Sequence, residues 1–303
     1  MKVAVTGATG TIGRAVVHAL LERGDSVVAL SRDAASAREK LGAAVDVHEW
    51  RDPKGEPAPA DAFADVEGVI HLLGEPVAQR WSDEAKDEIR DSRVLGTRNL
   101  VMGLRAAAGP RLKVLVAQSA TGFYGPHGND QVDESAPAGS DFLADVVVAW
   151  EAEARGAVEL GLRAPICRTG VVLSEGEGAL AKMLPPFKLG AGGPVAGGRQ
   201  YIPWIHLDDV VGALLFALDN DDADGPLNIT APDPATNKDF SKALGRTLGR
   251  PAVMPVPGFA IKLLYGEMAS IVTTGVRAVP KRLLELGYRF RRAELDAALK
   301  ASI

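Results

Sequence analysis

The chain has 303 residues, 47% of them hydrophobic and 24% charged, with a net charge of −5 from 34 Lys and Arg against 39 Asp and Glu. That balance excludes a mostly disordered chain and makes a general nucleic-acid binder a poor fit. The length suits about two structural units, or one large α/β unit with an appendage.

The first half alternates strand-like and helix-like segments. Residues 2–6 form a short β-branched run. Residues 12–23 read as a helix, with Ile12, Val16, Ala19 and Leu20 on one face and Gly24 as the stop. Strands are expected at 26–30, 45–49 and 68–73. A helix over 81–108, capped by Ser82, precedes a fifth strand at 112–118. A helix over 143–159 and a strand over 165–173 follow. Strands alternating with helices imply a parallel sheet covered on both faces, the α/β doubly wound class.

The texture then changes. Gly176, Gly178, Gly190, Gly192, Gly193, Gly197 and Gly198 crowd into residues 174–201. Such a stretch reads as a mobile connection or a loop lining a cleft, with 190–198 as a lid and Lys188, Arg199 and Gln200 as its anion-binding border. Asp208 or Asp209 can cap a helix whose core face is Val211, Leu214, Leu215 and Leu218. A helix over 236–248 opens with Thr236 and Asp239 at capping-box spacing. The expected division is a dinucleotide-binding unit over 1–173, with 206–229 returning to it, and a smaller, mainly helical substrate unit over 174–205 and 230–303.

The single cysteine, Cys167, excludes an intramolecular disulfide and reads as a buried strand thiol. No export signal is visible. The apolar stretch 259–272 is interrupted by Lys262 and Glu267 and falls short of the roughly 18 apolar residues of a spanning helix. The expected location is the reducing cytoplasm. His18, His48, His71 and His127 share no metal-ligand spacing, so no metal is expected.

The strongest signal is Thr6-Gly7-Ala8-Thr9-Gly10-Thr11-Ile12-Gly13, between the first strand and the first helix. A sharp turn, a pyrophosphate approaching the backbone and a helix packing on a strand each require glycine. The helix N-terminus then offers free N–H groups and a positive dipole end. At the end of the second strand, where an acidic residue would favour NAD, stand Ser31 and Arg32. The Arg32 fork suits a 2′-phosphate, which favours NADP(H); Asp33, one place later, is the argument for NAD.

These residues resemble the short-chain dehydrogenase/reductases, in particular their extended, epimerase-like branch. Thr6–Gly13 is similar to the TGxxGxxG signature. Val94-Leu95-Gly96-Thr97-Arg98-Asn99-Leu100 is similar to a GTxNLL helix, and Ile205-His206-Leu207-Asp208-Asp209-Val210 to an IHVDD segment. His71-Leu72-Leu73-Gly74-Glu75-Pro76 resembles the HLAGEP segment of one epimerase-like subfamily. So do Ser119–Gly125, Trp150-Glu151, Arg168–Leu173, Thr236-Asn237-Lys238 and Pro280-Lys281-Arg282-Leu283. The resemblance covers essentially the whole chain.

It implies an NADP(H)-binding Rossmann unit and a smaller C-terminal unit closing over a cleft. By motif position, Gly7, Thr9, Gly10, Thr11 and Ile12 would face the pyrophosphate. Ser31 and Arg32 would face the adenosine end, and Leu72, Leu73 and Gly74 would pack along the cofactor. Ser119 would sit near the nicotinamide, and Trp50 would either contact adenine or simply pack.

The Tyr-x-x-x-Lys pair on which most of that superfamily rests its proton transfer is missing: its two places hold Val146 and Trp150. Ser119 and Tyr124 remain as candidate catalytic groups. A carboxylate of the same helix, Asp145 or Glu151, could act as a base, although a solvated helix face is its ordinary role. His206 reads as a backbone hydrogen-bonding residue. Two classes of function stay open. One is an NADP(H)-dependent oxidoreductase or epimerase-like enzyme on a small substrate, with a homodimer left open. The other is an NADP(H)-binding regulatory or interaction protein without turnover; the resemblance implies a division-related partner for some such proteins.

Overall fold

The computed structural model describes residues 1–107 and 111–303. Its strands are β1 (Lys2–Thr6), β2 (Ser26–Ser31), β3 (Val45–Glu49), β4 (Gly68–His71), β5 (Val114–Ala120), β6 (Gln131–Val132), β7 (Pro165–Thr169), β8 (Val171–Leu173), β9 (Tyr201–Ile202), β10 (Trp204–His206), β11 (Gly225–Ile229), β12 (Ala235–Thr236) and β13 (Arg277–Ala278). Its helices are α1 (Thr11–Glu22), α2 (Ala34–Leu41), α3 (Asp83–Ala107), α4 (Phe142–Arg155), α5 (Gly178–Lys188), α6 (Leu207–Asp219), α7 (Asn237–Leu248), α8 (Gly258–Tyr265), α9 (Ser270–Thr273), α10 (Lys281–Glu285) and α11 (Leu295–Ala301). The expected helix end at Ala108 lies outside the described residues.

Seven strands form one sheet in the order β11-β7-β5-β4-β1-β2-β3, every neighbouring pair parallel. This is the Rossmann-like, doubly wound arrangement. The order reverses between β1 and β4, and a crevice opens there at the carboxyl ends of the strands. Register fixes its walls: Thr6 pairs with Leu30 on one side and His71 on the other. Helices α1 and α6 bury Val16, Leu20, Val210 and Leu214 on one face. Helices α3 and α4 bury Leu100, Leu104 and Ala154 on the other.

Several expectations need correction. The strand over 165–173 is two strands. Gly170 interrupts it because any Cβ there would lie 1.9 Å from the Pro203 carbonyl oxygen, and β8 leaves the sheet to pair with β10. The glycine-rich connection contains a helix, α5, whose Leu180, Leu184 and Phe187 are buried in a cluster with Phe240, Leu244 and Leu299. Helix α4 starts at Phe142 and ends at Arg155, giving way to a 3-10 turn over Gly156–Leu160. Neither Asp208 nor Asp209 caps α6. His206 does, its Nδ1 accepting from the Asp208 N–H at 3.0 Å. Asp209 is buried and instead accepts from the Arg291 and Arg292 N–H groups at 2.7 and 2.8 Å, clamping the C-terminal chain onto α6. Ser82 and Thr236 do cap their helices. Among the described residues, no helix is long and apolar enough to cross a membrane.

Two buried polar centres tie the sheet to its covering helices. His71 lies 2.7 Å from Thr6 Oγ1 through Nδ1 and 2.9 Å from Thr97 Oγ1 through Nε2, tying β1 and β4 to α3. A neutral ring satisfies both contacts, and burial pushes its pKa down to about 3. Further along the sheet, the Glu151 carboxylate of α4 accepts from Arg168 Nε at 2.8 Å and Nη2 at 3.0 Å. It also accepts from Ser119 Oγ at 2.7 Å and from Arg155 Nη2 at 2.8 Å. Both Glu151 and Arg168 side chains are almost fully buried, so every lone pair and proton in this fork must find a partner.

Two outcomes follow for stability. The unfolded chain protonates His71 near pH 6.5 and the folded chain only near 3, so the unfolded state binds more protons in between and stability falls with falling pH. Between pH 7 and pH 5 this term costs about 2 kcal/mol. Urea unfolding should show that much less loss for His71→Asn than for the wild type over the same interval; equal losses would refute the assignment. Glu151→Gln strands the Arg168 charge in the core and should cost about 3–5 kcal/mol in the same assay at pH 7.

Candidate functional site

The turn between β1 and α1 is shaped by the chain packing on itself. Gly7 has φ +65°, and a Cβ there would sit 2.6 Å from the Leu72 carbonyl oxygen. A Cβ on Gly13 would sit 2.2 Å from the Gly7 carbonyl oxygen. Gly10 differs: its Cβ would meet only the Gly7 oxygen, at 3.4 Å, and otherwise extend into open space. Gly10 is also the N-cap of α1 and offers no side chain to the first N–H groups of the helix.

The structure brings Gly7, Thr9, Gly10, Ser31, Arg32, Leu72, Leu73 and Gly74 together around one cleft of about 230 Å³. Thr11 and Ile12 form the first turn of α1 beside it. The Arg32 side chain is exposed at the rim. Asp33 is committed elsewhere: its carboxylate accepts from the Ser36 N–H at 2.9 Å and caps α2, a helix the sequence reading passed over. Trp50 lines the cleft and is also packed, with Nε1 donating to the Glu56 carbonyl at 3.0 Å. Leu73 is held by Gly96, where any Cβ would lie 2.7 Å from Leu73 Cδ2.

Sequence reasoning missed Glu177 at the start of α5. It accepts from Arg14 Nη2 at 2.7 and 2.8 Å and from the Thr11 hydroxyl. These partners hold its carboxyl below the usual carboxylate range. The loop after β8 is thereby strapped across the first turn of α1. A separation of 163 residues from Arg14 leaves no local signal for this contact.

A second cleft of about 350 Å³ opens beyond the ends of β5 and β7. Ser119, Val146 and Trp150 line it, as do Arg93, Tyr201, Ile202, Ile271 and Val276. Ser119 keeps its hydroxyl proton on Glu151. Tyr124 is absent from this lining. Its side chain is fully buried, its hydroxyl donates to Asn228 Oδ1 at 2.7 Å and accepts from Arg168 Nη1 at 3.1 Å. That placement removes Tyr124 from the reactive candidates and makes it part of the frame. Glu151 is likewise not on a solvated helix face, whereas Asp145 is exposed.

Arg93 was also missed. It stands one turn before Gly96, on the face of α3 that meets the sheet, where a charged residue is out of place; that is the signal that could have found it. Its guanidinium lies 5.3 Å from the centre of the Trp150 ring. A Cβ on Gly74, in the wall of the first cleft, would lie 3.0 Å from Arg93 Cζ, so the two clefts adjoin at this pair.

The segment 190–198 is not a free lid. Gln200 Nε2 donates to the Val195 and Val272 carbonyls at 3.0 and 2.8 Å, and the Ala196 N–H donates to the Val256 carbonyl at 2.9 Å. A Cβ on Gly193 would lie 2.1 Å from the Met254 carbonyl oxygen. Lys188 and Arg199 are exposed and line neither cleft.

Comparison with known proteins places these features. The family model described as NAD dependent epimerase/dehydratase family matches residues 3–230, and Domain of unknown function (DUF1731) matches residues 256–302. Epimerase family protein SDR39U1 homolog, chloroplastic, of Arabidopsis thaliana is 38% identical over 99% of this chain and 86% of its own length. The crystal structure of human epimerase family protein SDR39U1 (isoform 2) with NADPH matches with a TM-score of 0.87 and 33% identity, over 100% of this chain and 99% of that one. The nucleoside-diphosphate sugar epimerase from Corynebacterium glutamicum matches with a TM-score of 0.78 and 30% identity, over 100% of this chain and 58% of that one. With a family model matching most of its length and a curated relative matching nearly all of it, the chain belongs to the NAD dependent epimerase/dehydratase family.

Proposed function

We propose that the protein is an NADP(H)-dependent enzyme of the oxidoreductase or epimerase-like kind, with the dinucleotide in the cleft at Gly10 and Arg32 and a small substrate in the cleft at Ser119. The observation that carries this reading is the meeting of the two clefts at Gly74 and Arg93. The residues present fit the cofactor. Gly10 leaves room where a side chain would intrude, the first turn of α1 has N–H groups without a side-chain cap, and Arg32 offers an exposed fork for a 2′-phosphate. The human relative crystallised with NADPH supports the same choice. In this reading residues 1–173 and 206–229 hold the dinucleotide. Residues 174–205 and 230–303 close the substrate cleft, to which they contribute Tyr201, Ile202, Ile271 and Val276.

Bound NADP(H) supplies hydride exchange. The chain supplies orientation and a proton path. Because Glu151 is fixed between Arg168 and Arg155, Ser119 donates to it and turns lone pairs toward the cleft. Ser119 Oγ therefore suits a substrate hydroxyl as an acceptor, and it passes the proton toward Glu151 along an existing hydrogen bond.

A second reading, a dinucleotide-binding interaction protein, draws on α8, where Phe259 and Leu263 are 75% and 78% exposed. Stoichiometric co-purification of a partner, together with no turnover across a broad panel of alcohols and carbonyls, would favour it.

Calorimetric titration should show NADPH binding at least about tenfold tighter than NADH, and Arg32→Ala should erase most of that difference, about 1.4 kcal/mol, by weakening NADPH alone. Equal affinities in the wild type would discard the 2′-phosphate assignment. For an alcohol that the wild type oxidises, Ser119→Ala should lower kcat by about 10²-fold or more with NADPH affinity unchanged. An unaltered kcat would remove Ser119 from the chemistry.

A further inference from the structure

The second cleft has an unusual polar inventory. Its lining is mostly apolar, and two donors in it stand out, the Arg93 guanidinium and the Trp150 indole N–H. Arg93 donates one hydrogen bond, from Nη1 to the Ile89 carbonyl at 3.0 Å, and forms no ion pair among the described residues. Burial lowers its pKa to about 10, with Glu75 the charge acting against that shift, so it remains a cation at neutral pH. Trp150, on whose ring the guanidinium rests, is 3% exposed, and its Nε1–H has no hydrogen-bond partner. A half-buried cation without an ion pair and an orphaned buried donor side by side each cost free energy unless a ligand answers them. The group that answers both is an anion with acceptor oxygens.

The shape of the cleft says what the anion is attached to. Through Pro126, Asp141, Leu143 and Ser270 the cleft continues into an outer groove of about 610 Å³. Trp81, Phe142 and Phe259 line that groove. Its charges are largely spoken for: Asp141 caps α4 and Glu267 pairs with Lys86, leaving Lys262 as the cation there. A diphosphate in the outer groove would meet one lysine, Lys262, against two carboxylates, Asp141 and Glu267, while a hydrocarbon or aromatic body would meet ring faces.

We propose that the substrate cleft takes a carboxylic acid with an extended apolar body, its carboxylate on the Arg93 guanidinium and the Trp150 Nε1–H and its body directed toward Trp81 and Phe259. This rests on the reading that the dinucleotide occupies the neighbouring cleft, across Gly74. Arg93 then acts as a specificity residue, carried by α3 to the ring that stands where the superfamily's lysine would be.

The test uses the full chain saturated with NADPH and four probes, octanoate and 4-phenylbutyrate against 1-octanol and 4-phenylbutanol, with UDP-glucose as the sugar-nucleotide control. Both acids should bind at least about tenfold tighter than their alcohols, as a charge-assisted bidentate contact requires. Arg93→Met should abolish that preference while leaving NADPH affinity within about twofold, and Trp150→Phe, which keeps the platform but loses the donor, should weaken the acids about threefold. Equal binding of acids and alcohols, no binding of either acid, or UDP-glucose binding in their place would overturn the proposal. Loss of NADPH affinity in Arg93→Met would also overturn it, by assigning the guanidinium to the cofactor. Should Arg93→Met fail to fold, the wild-type probes and Trp150→Phe decide. Failure of NADPH itself to bind the wild type would instead overturn the proposed function, so the two failures are distinguishable.

Discussion

The arrangement of the second cleft depends on one buried ion pair, Glu151 with Arg168. A carboxylate and a guanidinium out of water tolerate no vacant position, so each neighbour is conscripted. Ser119 on β5 and Arg168 on β7 stand opposite each other in register, and both bond to Glu151 on α4. Arg168 Nη1 also reaches Tyr124, whose hydroxyl reaches Asn228 on β11, whose amide reaches the Val279 carbonyl. One fork thus joins the sheet, a covering helix and the C-terminal chain. The same fork explains why Tyr124, chemically the most obvious proton donor nearby, is a strut.

The first cleft rests on a different constraint, close backbone approach. Gly7 lies so near Leu72 that any side chain would collide, and Leu72 in turn gives its N–H to Thr6 Oγ1 at 3.1 Å. Thr6 meets His71, and His71 meets Thr97, one residue after the Gly96 that admits Leu73. The turn after β1 and the turn after β4 are therefore set by one chain of contacts running into α3. Asn99, two residues further, anchors the segment after β3 through the Pro53 carbonyl at 2.9 Å. Motif residues that look like cofactor contacts from their spacing divide, in three dimensions, into those that face the cleft and those that fix its walls.

This division marks what was legible in the sequence. Strand and helix periodicity placed β1 to β5, α1, α3, α4 and α7, because each buries a regular apolar face. The glycine turn and Ser31-Arg32 were legible because they follow strands whose ends the topology aligns. Helix α5 was not, since its glycine-rich flanks and internal Pro185 and Pro186 outweighed Leu180, Leu184 and Phe187 in a one-dimensional reading. Nor were Glu177, Glu151 and Arg93, whose roles arise from partners 163, 17 and 57 residues away. Residue type alone assigns such charges to open solvent, and only packing shows which partners they meet and that Glu151 is buried.

Arg93 carries the argument about chemistry. In the superfamily this chain resembles, a lysine one turn after a tyrosine brings positive charge to the reaction centre from the helix after β5. Here Val146 and Trp150 occupy those places and make that wall apolar. The charge is instead delivered from α3 and laid on the Trp150 ring, a contact to which arginine's flat, weakly hydrated cation is suited. A lysine beside a tyrosine tunes a proton. A guanidinium on an indole, with the proposed proton path on Ser119 and Glu151, is suited to holding an oxyanion. On the proposed function, the substitution separates two tasks that the usual pair combines, orienting the substrate and moving its proton. One is set by α3 and the other by the buried fork.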